Sequence, residues 1–136
     1  MILVRAEFAH LKPDEREIMR RFVDKKLLEG KYEYDVHLTV PDPVWPEKTT
    51  EEEKQIWRSR IAKRIDAVCT TPSGVWIIEV TPKVSKAAVG GLFLYRQMYR
   101  AQYHPVLPVH LVCVVAIDDT AYHNLLTENK ITLFVV

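Results

Sequence analysis

The chain has 136 residues, of which 48% are hydrophobic and 27% charged, with a net charge of +1. That length suits one domain over 1–136 with one core, and the composition excludes a disordered chain. The near-zero charge excludes attachment to a polyanion through a global field, so any nucleic-acid contact needs a local basic patch. Two cysteines, Cys69 and Cys113, stand far apart without CxxC spacing. This points away from structural zinc or a disulfide framework and toward synthesis in a reducing, intracellular compartment. No basic leader followed by an apolar stretch opens Met1 to His10, and no apolar run approaches the roughly 18 residues of a membrane span.

Pro13-Asp14-Glu15 opens a first helix, with proline in the first turn and acids at the positive end of the dipole. Ile18, Met19, Phe22, Val23 and Leu27 recur at helical spacing until Gly30 is expected to stop it. A strand follows in which Tyr32, Tyr34, Val36, Leu38 and Val40 alternate with Glu33, Asp35, His37 and Thr39, predicting one apolar and one polar face. Pro41, Pro43 and Pro46 end that strand by removing ladder donors. Thr49 or Thr50 ahead of Glu51 to Trp57 is suited to cap a short helix, within a charged insert whose Trp45 and Trp57 need cover.

Two further strands are predicted, from about Ile61 to Thr70 and from Val75 to Thr81, joined by the turn Thr71-Pro72-Ser73-Gly74. Ser85 caps a helix reaching Tyr103. Its Gly90-Gly91 pair costs roughly 1 kcal/mol per glycine relative to alanine, and close approach to the sheet is the expected return. Tyr95, Tyr99 and Tyr103 repeat every four residues, a stripe suited to packing on the sheet. Val109 to Ile117 reads as a strand buried on both faces. A short helix over Thr120 to Leu126 leads to a last strand, Ile131 to Val136. The main order is α-β-β-β-α-β-α-β, an α/β fold with a mixed sheet flanked by helices.

The hairpin carries the chemistry. A turn with two or four loop residues places Asp66 directly opposite Glu79, with β-carbons roughly 5 Å apart on one face. Carboxylates that close repel, and a cation between them is the usual remedy. Mg²⁺ is commonly held by one or two carboxylates with waters and phosphate. The plainer alternative is a pair of surface acids neutralised by Arg64 or Lys63, and His37 on the polar strand face is a further neighbour. Lys86, Arg96 and Arg100 share the following helix and suit either a phosphate-tracking face or an ordinary solvated one.

Three segments, Arg64-Ile65-Asp66-Ala67-Val68, Trp76-Ile77-Ile78-Glu79-Val80-Thr81-Pro82-Lys83 and Gly90-Gly91-Leu92-Phe93-Leu94-Tyr95, resemble the PD-(D/E)XK nuclease superfamily. The resemblance covers roughly Tyr32 to Ile117 in element order and is sharpest over residues 64–99. It implies a restriction-endonuclease-like core with Asp66 and Glu79 as Mg²⁺ ligands. Two positions depart from the pattern. Thr81 stands where active members carry a lysine that positions water or stabilises developing charge, leaving Lys83 as the nearest substitute if the strand continues past Pro82. Gly91 stands where many relatives carry glutamine.

Two functional readings follow from that resemblance. One is a degenerate nuclease fold serving as a structural piece of a bacteriophage virion, such as a neck or head–tail connector. It would work without a small-molecule cofactor or membrane, in contact with other virion subunits or further copies of itself. Such a protein is made in the host cytoplasm and then joins the virion. Near-neutral charge and the apolar ending Leu133-Phe134-Val135-Val136 suit this reading. The other is an active Mg²⁺-dependent DNA endonuclease of phage DNA processing. There Asp66 and Glu79 would hold the metal, Lys83 would assist water, and Lys86, Arg96 and Arg100 would hold DNA phosphates.

Overall fold

The computed structural model describes residues 6–136, and the reading of the first five residues as leader-free lies outside them. The elements are α1 (Pro13–Asp24), β1 (Lys31–Leu38), α2 (Glu51–Ile61), β2 (Lys63–Thr71), β3 (Gly74–Val80), α3 (Lys86–Tyr103), β4 (Val109–Val115), α4 (His123–Glu128) and β5 (Ile131–Val135). One 3₁₀ turn at Ala6–Phe8 precedes α1 and another at Thr120–Tyr122 precedes α4. The sheet has the spatial order β1-β2-β3-β4-β5. β1, β2 and β3 are antiparallel neighbours, and β4 and β5 continue in parallel. Each parallel step is bridged by a helix, as the geometry of parallel pairing requires.

The fold is thus α/β with a mixed five-stranded sheet and four helices, in the order α-β-α-β-β-α-β-α-β. This corrects the expected order by one helix, α2. Thr50 caps α2 by accepting a hydrogen bond from the Glu53 N–H at 3.1 Å, and the helix runs to Ile61, where a strand was expected to begin. α1 is shorter than predicted. It ends at Asp24, Lys26 takes a left-handed φ of 52°, and Leu27 is left 42% exposed.

Two apolar layers sandwich the sheet. Ile18, Met19 and Phe22 of α1 pack with Phe8 and Leu11 on Ala67, Cys69, Ile78, Val80, Val112 and Val114. Val89 and Leu92 of α3 and Leu126 of α4 pack on Ile65, Val68, Ile77, Leu111, Cys113 and Val115. β4 feeds both layers, as its unbroken apolar run implies. Tyr95 and Tyr99 join the α3 layer, while Tyr103 is exposed and leans on Tyr99.

β1 does not keep one apolar face. Tyr32 and Tyr34 join the α1 layer, whereas Val36 and Leu38 join the α3 layer. The switch occurs at Asp35, whose φ of 54° lies in the left-handed region, which aspartate tolerates better than most residues. β2 switches at the same level: Ile65 belongs to the α3 layer but Ala67 to the α1 layer. Ladder pairing between Tyr34↔Ala67 and Val36↔Ile65 skips Asp35 and Asp66. Simple alternation fails because one backbone rotation inverts every side chain beyond it.

The glycines of α3 do not bring the helix close to the sheet. A Cβ on Gly90 would meet nothing within 4 Å, and one on Gly91 would meet only the Tyr95 ring at 3.8 Å. Gly90→Ala is therefore expected to raise unfolding stability by about 1 kcal/mol, measured by urea denaturation. A loss of stability would mean that α3 packs more tightly there than its surroundings indicate.

Candidate acid site between β2, β3 and α3

The hairpin closes with a two-residue loop, Pro72-Ser73, with Thr71 opposite Gly74 and pairing running to Ala67↔Ile78. The ladder stops one step short of Asp66 and Glu79, where a side chain takes over. The Val80 N–H donates to Asp66 Oδ2 at 2.9 Å. Glu79 is on the α3 face of β3, beside Cys113 of β4. A cleft of about 320 Å³ opens over it, lined by Glu15, Glu79, Thr81, Ser85, Gly91 and Tyr95 among others.

The electrostatics are those of acids without a matching cation. Burial pushes both Asp66 and Glu79 up from the ordinary carboxylate range; Glu15 adds repulsion to each, and Asp66 adds more to Glu79. The Val80 N–H pulls Asp66 part of the way back. Burial and the same two acids push the Tyr95 phenol up to about 12, which keeps it an O–H donor beside the cleft. Burial and Glu79 likewise push the Cys113 thiol up to about 12.

Arg64 pulls Asp66 down only in part, through its charge and not through a hydrogen bond. Its Nε and Nη2 donate to Asp35 Oδ1 and Oδ2 at 2.6 Å each, holding Asp35 down at about 2. His37 joins Asp35 at 3.3 Å rather than the acids. From outside the sheet His10 approaches Asp66, and its buried Nε2 lies 3.7 Å from Asp66 Oδ1, beyond hydrogen-bond range. Burial lowers the His10 pKa, so the contact is one of a mainly neutral imidazole.

The remaining candidates lie elsewhere. β3 ends at Val80, and the chain then follows β4. The Thr81 N–H donates to Val114 O at 3.0 Å, Pro82 O accepts from the Ala116 and Ile117 N–H groups, and Lys83 forms an isolated parallel bridge with Ile117. Lys83 is exposed and contributes nothing to the cleft lining. Thr81 does line it, with its hydroxyl donating to Lys83 O at 3.1 Å. Lys86 and Arg100 are exposed, and Arg96 is half-buried over the Phe93 ring at 5.5 Å. At about 100° per residue, these three share the flank of α3 opposite Gly91, away from the acids.

Sequence reasoning singled out Asp66 and Glu79 but missed Glu15, His10 and Tyr95 as their neighbours. Glu15 was legible only as a helix-opening acid, and that role is real: its Oε1 accepts the Lys12 N–H at 3.0 Å. Its proximity to Glu79 depends on how α1 docks, which no local pattern encodes.

Among the described residues no group of three His, Cys, Asp or Glu side chains forms a metal cage. Asp66 and Glu79 fit instead the sparse two-carboxylate set with which proteins hold Mg²⁺ through water. Raised carboxyl pKa values mean that the folded state retains protons which the unfolded chain has lost. Stability from this source is present below about pH 4 and declines as pH rises toward the folded values. Glu79→Gln is expected to flatten that decline and to be more stable than wild type at neutral pH without divalent metal, as read by denaturation across pH. The difference between the two proteins isolates Glu79 from His10, whose slope has the opposite sign. Equal profiles would show that Glu79 is solvated.

No helix among the described residues is long and apolar enough to cross a membrane. Comparison with protein-family models, curated proteins and solved structures finds no match.

Proposed function

We propose that this chain is a PD-(D/E)XK-type nuclease core that has kept its acid pair without the catalytic lysine, and that it serves as a structural component of a bacteriophage virion, at a neck, head–tail connector or similar position. The observation that carries this reading is the pairing of Thr81 with an exposed Lys83. Thr81 occupies the cleft position where a cation would steady an attacking hydroxide, and its hydroxyl is engaged with the Lys83 carbonyl. The basic side chains of α3 lie on the other flank of that helix. A phosphate drawn to them would therefore sit away from Asp66 and Glu79, and productive catalysis requires reacting groups within about 3–3.5 Å of each other. An assembly role draws support from β5, an edge strand without a charged residue or proline, the kind of edge that natural proteins usually cover.

The second reading, an active Mg²⁺-dependent DNA endonuclease, draws its support from the half-buried acids themselves. Asp66 and Glu79 would hold the ion, and Ser85 and Tyr95 offer hydroxyl groups beside the cleft. When bound, the cation would polarise a phosphodiester and lower the pKa of a water. Two acids raised by burial, with Arg64 offsetting Asp66 only in part, are an arrangement that a divalent cation would stabilise.

Supercoiled plasmid incubated with the purified chain and Mg²⁺ or Mn²⁺ separates the two. The structural reading expects no nicking above that of the Glu79→Ala protein prepared in parallel. Metal-dependent nicking that Glu79→Ala abolishes would overturn it in favour of the endonuclease.

A further inference from the structure

α2 stands apart from both apolar layers. None of its residues is buried, and it is held to the segment that leads into it by polar ties. Arg58 Nε and Nη2 donate to Asp42 Oδ1 and Oδ2 at 2.9 and 2.8 Å, and Lys54 and Arg58 cover the Trp45 ring at 5.9 and 5.7 Å. These contacts use the face carrying Lys54 and Arg58. The opposite face carries Glu52, Ile56 and Arg60 in a line, with Trp57 beside it. Ile56 is 49% and Trp57 52% exposed. Trp45 thus found its cover within the insert, whereas Trp57 did not.

The order of that line is self-complementary. Glu52 lies four residues before Ile56 and Arg60 four after it, about 6 Å to either side along the axis. Neither enters a side-chain ion pair among the described residues. A parallel neighbour would set acid against acid. An antiparallel one, related by a two-fold axis at Ile56, sets Glu52 against Arg60 of the other helix twice over and joins the two Ile56 side chains between them. Isologous contacts of this kind are the commonest route to homodimers, and the acidic first turn with basic last turn also opposes the two helix dipoles favourably.

We propose that the outer face of α2 is a homodimer interface, in which a second copy of this chain docks its own α2 antiparallel through Ile56, Trp57 and reciprocal Glu52–Arg60 ion pairs. The helix is 11 residues long, about 16 Å, and covers less than the roughly 800 Å² per partner of a standard interface. The dimer is therefore weak and reversible, with a Kd on the order of 10–100 µM. The surface is separate from the acid site, so nuclease and metal assays bear on neither its existence nor its geometry.

Sedimentation equilibrium of the full chain, at concentrations spanning that Kd and at low and high salt, tests the interface. Wild type is expected to show a monomer–dimer equilibrium weakened by salt. Ile56→Glu should leave only monomer. Glu52→Arg or Arg60→Glu alone should weaken the dimer about tenfold by turning both ion pairs into repulsions, and the double swap Glu52→Arg/Arg60→Glu should restore it. Far-UV circular dichroism checks that each variant is folded, and the restoring double swap is immune to a trivial loss of structure. A wild-type monomer throughout would overturn the proposal. So would a dimer indifferent to Ile56→Glu, as pairing through edge strand β5 would give, or a double swap that fails to restore what each single change lost.

Discussion

The hydrogen bond from the Val80 N–H to the Asp66 carboxylate marks the point on which the architecture of the site turns. Below it, β2 and β3 pair through their backbones from the Thr71–Gly74 turn upward. At it, a side chain replaces the ladder acceptor, and β2 is released to change face. Beyond it, β3 no longer follows β2; the chain through Thr81, Pro82 and Lys83 bonds instead to the end of β4. A carboxylate largely withdrawn from water is costly unless its lone pairs are used, and this backbone donor is part of what holds the half-buried Asp66 in place.

The same opening governs the electrostatics. Asp66, Glu79 and Glu15 come from β2, β3 and α1 and repel one another in a partly dry cleft, while Arg64, the cation closest in sequence to Asp66, is committed to Asp35. That commitment has a structural cause. Asp35 takes the left-handed backbone conformation at which β1 changes face, and Arg64 braces it from the neighbouring strand. The guanidinium is hydrogen-bonded at the strand switch and reaches Asp66 only through its charge.

Much of the fold was legible. The two-residue turn Pro72-Ser73, the cap at Ser85, the buried run of β4 and the helical spacing of Ile18, Met19 and Phe22 are local signals, and each element formed where its signal stood. The two-residue turn, one of the lengths that the sequence allowed, sets the register as far as Ala67↔Ile78, one step short of Asp66 and Glu79. Leu27 and the alternation of β1 misled because a single left-handed residue, Lys26 in one case and Asp35 in the other, ends or inverts a pattern without changing its spelling. The glycine pair of α3 misled differently. Gly90 and Gly91 border open space and the cleft, so their small size leaves room rather than permitting close packing.

By itself the sequence determined most of the elements, the place of the hairpin turn and the two acids beyond it, because these depend on neighbours a few residues apart. Only the tertiary structure decided that Arg64 serves Asp35, that Glu15 and His10 border the acids, that Lys83 leaves the cleft with β4, and that the basic flank of α3 faces away from it. Those outcomes depend on how α1 and α3 dock against opposite faces of one sheet and on where its strands part. Contacts between segments so distant along the chain leave no periodic trace in either of them. The acid pair was readable from the sequence; the commitment of Arg64 to Asp35 was not.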